Sequence, residues 1–324
     1  MPTKIEISYK TIIFAVLFLI ALWLLLEIKD ILFLVFVSFI LMSALRPLVE
    51  GLIRRRIPKT LSVIIVYLLF IAVIGFIGSA IVPPLVTQSA YLSESLPEYL
   101  STVVPFVKID QQTIVGQIAP IGQNLLKVTL GLFGDVIALV TIFVISFYLV
   151  IERKNLDIHL SGLMGEIAAR RLLIVIRKIE ERLGAWVRGQ MTLMVTIGSF
   201  TFIGLTILGL PYVLPLAIIA GILEIVPTIG PIISAIPAVI IALTISPVYA
   251  LITAVVYFVI QQLENQLVVP FVMKKVVGVP PLVTLLSLLI GGKLAGVTGA
   301  VLAIPIVVTI ETIISEYLRQ PQGN

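Results

Sequence analysis

The stretch EIVPTIGPIISAIP, residues 224–237, interrupts an otherwise apolar run from Val213 to Ser246 with an acid and three prolines. Pro227, Pro231 and Pro237 each remove a backbone donor, and hydrocarbon offers no water to take its place. The run is 34 residues long. That is too long for one straight span and too short for two full spans with a turn. Its arms, Val213 to Val226 and Pro231 to Ser246, reach only about 21 and 24 Å at 1.5 Å per residue, against a hydrocarbon core of about 30 Å. A re-entrant or kinked hairpin is expected here.

Composition sets the environment of this hairpin. Of 324 residues, 60% are hydrophobic and 12% charged, and the mean hydropathy is +1.20, far beyond a soluble domain. The chain is therefore an integral membrane protein. It has no cysteine and a single histidine, His159, so disulfides, thiolate sites, a Ser/His/Asp triad and a multi-histidine metal site drop out. His159 reads as a solvated loop residue. The formal charge of +5 comes from cations beside apolar spans, where they act as topology determinants and not as a nucleic-acid surface. The apolar N-terminal run lacks a small-residue cleavage site and reads as a retained helix.

Further apolar segments run from Thr11 to Leu26, Ile31 to Leu45, Leu61 to Val82, Gly131 to Ile151, Gln190 to Leu210 and Pro247 to about Pro270. The first two, parted only by Glu27, Lys29 and Asp30, are expected to form a hairpin. The fold expected is all-α, a polytopic protein of about eight membrane segments. Residues 1–84 form a three-helix membrane region, 85–130 an extracytoplasmic amphipathic region, and 131–151 a fourth span. Residues 152–189 contain an amphipathic helix, with Leu172, Ile176, Ile179, Leu183 and Trp186 on one side, expected to lie along the membrane surface. Residues 190–316 form a C-terminal core and 317–324 a tail. Eighteen of the 22 lysines and arginines fall on one face of this layout, Lys29, Lys108 and Lys127 on the other, and Lys293 is left within an apolar run. The basic face, with both termini, is expected to be cytoplasmic.

A second interrupted run, PPLVTLLSLLIGGKLAGVTGAVLAIPIVVTIETII, residues 280–314, has the same anatomy. Both runs contain Ala-Ile-Pro, ending at Pro237 and Pro305, and each follows one span. The unit of span plus broken hairpin thus occurs twice in opposite senses, an inverted repeat of the kind that builds transport sites from interrupted helices. Ionisable residues at bilayer depth cost from about 2.5 kcal/mol upward and mark pathways. Glu224, Glu264 and Lys293 are the candidates. Gln261 and Asn265 share a helix face with Glu264, while Pro227 and Gly230 break the first hairpin. Lys293, at the tip of the second hairpin, is placed to balance Glu224. Polar glue between helices or protomers is the structural alternative for Gln261 and Asn265.

These stretches, together with FYLVIERK, VRGQ at 187–190 and QQLENQLVVP, make the chain resemble the autoinducer-2 exporter family of multi-pass membrane proteins. The resemblance spans nearly the whole chain and is most specific over the last 140 residues. It implies a C-terminal transport core, about eight segments and a homo-oligomer. Export of autoinducer-2 is assigned to some members, and cation/proton antiport has been proposed for others. The expected function is a secondary exporter of a small polar solute in the cytoplasmic membrane, autoinducer-2 among the candidates, with no cofactor beyond a coupling proton or Na⁺. A sodium or lithium/proton antiporter is the alternative, and an oligomeric channel or membrane scaffold the alternative of another class. No Walker motif is present, and an enzyme is not expected.

Overall fold

A computed structural model describes residues 9–79, 136–153, 155–227, 229–273 and 280–318, with Pro83. The expected amphipathic region at 85–130 and the cationic residues Lys108, Lys127, Lys274 and Lys275 lie outside the described residues. Those described are helical, without strands. Five helices are long and apolar enough to cross a membrane, and four shorter apolar helices accompany them.

In chain order the elements are α1 (Tyr9–Glu27), α2 (Lys29–Arg54), α3 (Lys59–Ser79) and α4 (Val136–Glu152). They continue as α5 (Leu156–Met164), α6 (Glu166–Ile207), α7 (Val213–Leu223), α8 (Ile229–Ile245) and α9 (Pro247–Leu263). A π turn (Glu264–Val268) and one further turn (Val269–Met273) extend α9, and α10 spans Pro281–Leu318.

Two expectations are corrected. The α1–α2 junction is not a hairpin: Ile28 sits at φ −91°, ψ 10°. The ladder runs through it, with Ile28 N–H bonded to the Leu24 carbonyl and Leu32 N–H to that of Ile28, both at 3.0 Å. The charges at 27–30 suggested a turn, yet no glycine or proline is there to make one. The amphipathic stretch of 152–189 does not lie apart along the membrane surface either. It is the first half of α6, a helix of 42 residues and about 63 Å that continues without a break into the following span. Its apolar stripe, Ile179, Leu183 and Trp186, packs on Ile40 of α2 and on Leu302, Ile304 and Val308 of α10. Protein covers this part of the stripe, while Leu172, nearer the start of α6, stays exposed.

Both interrupted runs double back. In the first, α7 and α8 are joined by a tight turn in which a Cβ on Gly230 would lie 1.9 Å from the Leu223 carbonyl oxygen. In the second, Ala295 (φ −140°) and Gly296 (φ 59°, ψ −141°) leave helical geometry. A Cβ on Gly291 would lie 2.3 Å from the Gly299 oxygen. In a continuous helix those residues would stand about 12 Å apart along the axis, so 281–294 and 297–318 are two arms in contact. The two hairpins meet where Ile225 and Val226 pack on Leu288, Ala300, Val301 and Ala303.

The basic end is clamped by ion pairs. Glu180 of α6, 3% exposed, takes Arg46 of α2 and Arg153 beyond α4, each at 2.7 Å. Two residues to either side of it, Lys178 pairs with Glu316 at 2.5 Å and Arg182 with Glu311 at 3.0 Å. Glu311 and Glu316 thus bind α10 to α6.

Candidate functional site

α7 ends because Pro227 cannot extend it. The chain tightens through Ile225 N–H to the Ile222 carbonyl and Val226 N–H to that of Leu223, both 3.1 Å. Gly230 N–H then closes on the Val226 carbonyl at 2.9 Å. Because only a residue without Cβ fits there, the turn is tight enough to turn Glu224 into the protein, where it is fully buried. Gln190, 2% exposed on α6, donates its Nε2 to the Glu224 backbone carbonyl at 2.6 Å. α6 approaches this closely because Gly198 faces Gly221 backbone to backbone, with Gly198 Cα 3.4 Å from where a Gly221 Cβ would stand.

Glu264 begins the π turn, and the Val269 N–H reaches back to the Glu264 carbonyl. Pro270 follows, whose missing donor and ring disturb the preceding turn. π turns of this kind recur at functional positions. Glu264 is 2% exposed and faces the Glu224 carboxyl. Gln261 Nε2 donates to Glu264 Oε2 at 3.1 Å. Neither Glu224 oxygen accepts a hydrogen bond from a described group.

The structure thus brings together Glu224, Glu264 and Gln261, with Pro227 and Gly230 shaping the turn. It does not bring in the other two candidates. Asn265 is exposed on the outer side of the π turn, so the polar face expected of Gln261, Glu264 and Asn265 is divided. Lys293 is exposed just before the kink of α10 and forms no ion pair among the described residues. The pairing expected between Lys293 and Glu224 is absent, because Ile225 and Val226 at the tip of the first hairpin meet apolar side chains on the arms of the second, away from the bend beside which Lys293 stands. Sequence reasoning missed Gln190, which was visible as a lone amide at the start of an apolar span.

Two carboxylates facing each other away from water repel strongly, since low dielectric magnifies their Coulomb term. A proton or a monovalent cation between them removes that repulsion. No group of three or more His, Cys, Asp or Glu able to hold a metal occurs among the described residues.

A profile described as AI-2E family transporter matches residues 12–319. The chain belongs to the AI-2E transporter family. Among its relatives, YueF of Bacillus subtilis (strain 168), named as a candidate transport protein, is 28% identical over 87% of this chain and 83% of its own. YrrI of the same organism, named likewise, is 29% identical over 88% and 85%. PerM of Escherichia coli (strain K12), named as a candidate permease, is 23% identical over 80% and 79%. This family member is a multi-pass membrane transport protein.

Proposed function

We propose that the chain is a secondary transporter whose cycle is coupled to a proton or Na⁺ at the Glu224–Glu264 pair. Its cargo is a small polar solute moved outward, with autoinducer-2 one candidate. The observation that carries this reading is the pair of buried carboxyls, one at a broken-hairpin tip and one at a π turn. Such a pair can exchange a proton or cation, and interrupted helices at membrane depth are the usual setting for a transport site. In this reading 190–246 and 247–316 act as inverted units, the basic end faces the cytoplasm, and the chain works as a homo-oligomer. Sodium or lithium/proton antiport is a second reading, favoured by the same carboxyls, since they and nearby backbone carbonyls suffice for a bare cation.

The test is purified protein in liposomes, with proton movement followed under gradients of Na⁺, Li⁺ and a panel of small polyols and furanones. One arm of the panel should drive proton movement. Glu224→Gln and Glu264→Gln should each abolish it while leaving folding intact, because an amide keeps the shape but neither exchanges a proton nor carries charge. Undiminished coupled flux in both variants across roughly pH 6 to 9 removes the pair from the mechanism.

A further inference from the structure

Most hydroxyls on the membrane helices satisfy themselves. On α6, Thr192, Thr196, Ser199 and Thr206 each donate to the carbonyl four residues earlier, at 2.6–2.8 Å. Thr309 and Thr312 of α10 do the same, which is the normal habit of such residues in helices. Thr201 of α6 and Thr253 of α9 depart from it. Both are fully buried, and neither hydroxyl has a partner among the described groups. Tyr257, 7% exposed, also has an unpartnered phenolic oxygen. A buried hydroxyl left unmatched is costly and calls for an explanation.

The three can be ordered along the contact between α6 and α9. Thr253, Tyr257 and Glu264 are four and then seven residues apart, so they share a face of α9. Thr201 shares the buried face of α6 with Gln190, Ile197 and Leu205. A Cβ on Gly204 would stand 2.8 Å from Val256 and 3.7 Å from Ile260. The helices run in opposite directions, because the α7–α8 hairpin lies between them. That contact therefore sets Thr201, one turn before Gly204, level with the turn carrying Gln261 and Glu264. Leu205 packs in the same cluster as Tyr257. From the carboxyl pair outward, the order is Thr201, Tyr257, Thr253, leading toward Ser246 at the end opposite the basic one.

We infer that Thr201, Tyr257 and Thr253 line a route between α6 and α9, shut in this conformation, by which a hydrated proton or small monovalent cation reaches the Glu224–Glu264 pair from the non-basic end. When the helices part, water or the cation supplies the partners that the hydroxyls lack. The inference rests on the coupling role proposed for that pair. The tyrosine and the two threonines have the right chemistry for it: neutral oxygens that accept from water or coordinate a cation without trapping it by charge.

Substituted-cysteine labelling tests this without knowledge of the solute, since the chain has no cysteine of its own. Thiols react as thiolates, which form only where water reaches. Thr201→Cys, Tyr257→Cys and Thr253→Cys in proteoliposomes should react with a charged, membrane-impermeant methanethiosulfonate from the non-basic side. Their rates should exceed those of Ile252→Cys, Val255→Cys and Phe258→Cys, exposed positions on the other faces of α9, by roughly tenfold or more. Thr253→Val and Tyr257→Phe, which remove only the hydroxyl, should keep or raise thermal stability while slowing proton movement in the liposome assay at least several-fold. Absence of labelling at all three positions, or labelling no faster than at the exposed ones, overturns the route, as does unchanged proton movement in the hydroxyl-free variants. If Glu224→Gln and Glu264→Gln abolish coupling while the hydroxyl-free variants transport normally, the route alone falls. If those carboxyl variants transport normally, the coupling site falls whatever the labelling shows.

Discussion

Adjacent glycines at 291 and 292 should respond in opposite ways to the same substitution. At Gly291 a new Cβ would lie 2.3 Å from the Gly299 oxygen, 2.8 Å from the Gly299 carbonyl carbon and 3.2 Å from the Ala303 Cβ. A carbon and a carbonyl oxygen rest at about 3.3 Å, so the arms of the second hairpin must part by about 1 Å at their crossing. The obstacle is backbone, which cannot rotate aside. Overpacking of this kind costs about 1–3 kcal/mol or more, against about 1 kcal/mol recovered from the better helix propensity of alanine. At Gly292 nothing lies within 4 Å of the new methyl, and only the propensity gain remains. Gly291→Ala should therefore lower, and Gly292→Ala slightly raise, the thermal midpoint of the purified protein in detergent, read by intrinsic fluorescence. Since both gain the same propensity, the expected gap between the two is the overpacking cost, about 1–3 kcal/mol. Gly299→Ala, whose Cβ would lie 2.0 Å from the Gly291 oxygen, should match Gly291→Ala. The double change should cost less than the two added, since arms once parted accommodate both methyls. Equal responses at 291 and 292 would mean that the arms do not cross there, and the doubled-back reading of α10 would fail.

Removal of the Glu180 carboxylate by Glu180→Ala leaves Arg153, 18% exposed, without this partner and Arg46, 36% exposed, with Glu50 alone, and should cost about 1–2 kcal/mol in the same melt, below the figure for a fully buried pair. Arg170→Ala removes only an exposed pair, 3.9 Å from Glu166, and should change nothing measurable; equal effects would deny the clamp. Single cysteines at Tyr212 and Ser246, the two ends of the first hairpin, should label from one side of the membrane and Ser315 from the other. Opposite sidedness of Tyr212 and Ser246 would show that 213–246 crosses instead of returning.

The carboxyl pair was legible because its signals are local and chemical. An acid near Pro227 and Gly230, and another inside QQLENQ, stand out against apolar sequence whatever the fold. That Glu224 and Glu264 face each other depended on the hairpin doubling back, which the short arms also betrayed. The α1–α2 junction was misread because charge at 27–30 marks an interface only statistically, whereas a reversal needs backbone freedom that Glu27, Ile28, Lys29 and Asp30 do not supply. The first half of α6 was misread for a different reason. A stripe of Ile179, Leu183 and Trp186 has the same period whether lipid headgroups or protein cover it, and only the positions of α2 and α10 decide. Thr201 and Thr253 could not be singled out, because whether a threonine hydroxyl finds a partner depends on side-chain rotation, and Thr192 or Thr206 look identical in sequence.

α6 joins these parts, and its two halves are held by different forces. It touches α2, α5, α7, α9 and α10 through one stripe of buried residues that runs from Ala169 to Leu205. Below Gln190 that stripe is fixed by ion pairs from Lys178, Glu180 and Arg182, and by Gly184, where a Cβ would stand 2.4 Å from the Ser43 carbonyl oxygen. Such contacts resist displacement, since parting a buried charge from its partner leaves it uncompensated. Above Gln190 the stripe meets α7 through Gly198 and Gly221 and through apolar side chains. Glycine faces present neither knobs nor charges, so sliding there separates no ion pair. One hydrogen bond, from Gln190 to the Glu224 carbonyl, ties the fixed half to the hairpin tip, and a single neutral hydrogen bond is worth only about 1 kcal/mol. Sliding between α6 and the first hairpin therefore separates no ion pair among the described residues and only this one hydrogen bond, beside the carboxyl that the hairpin carries.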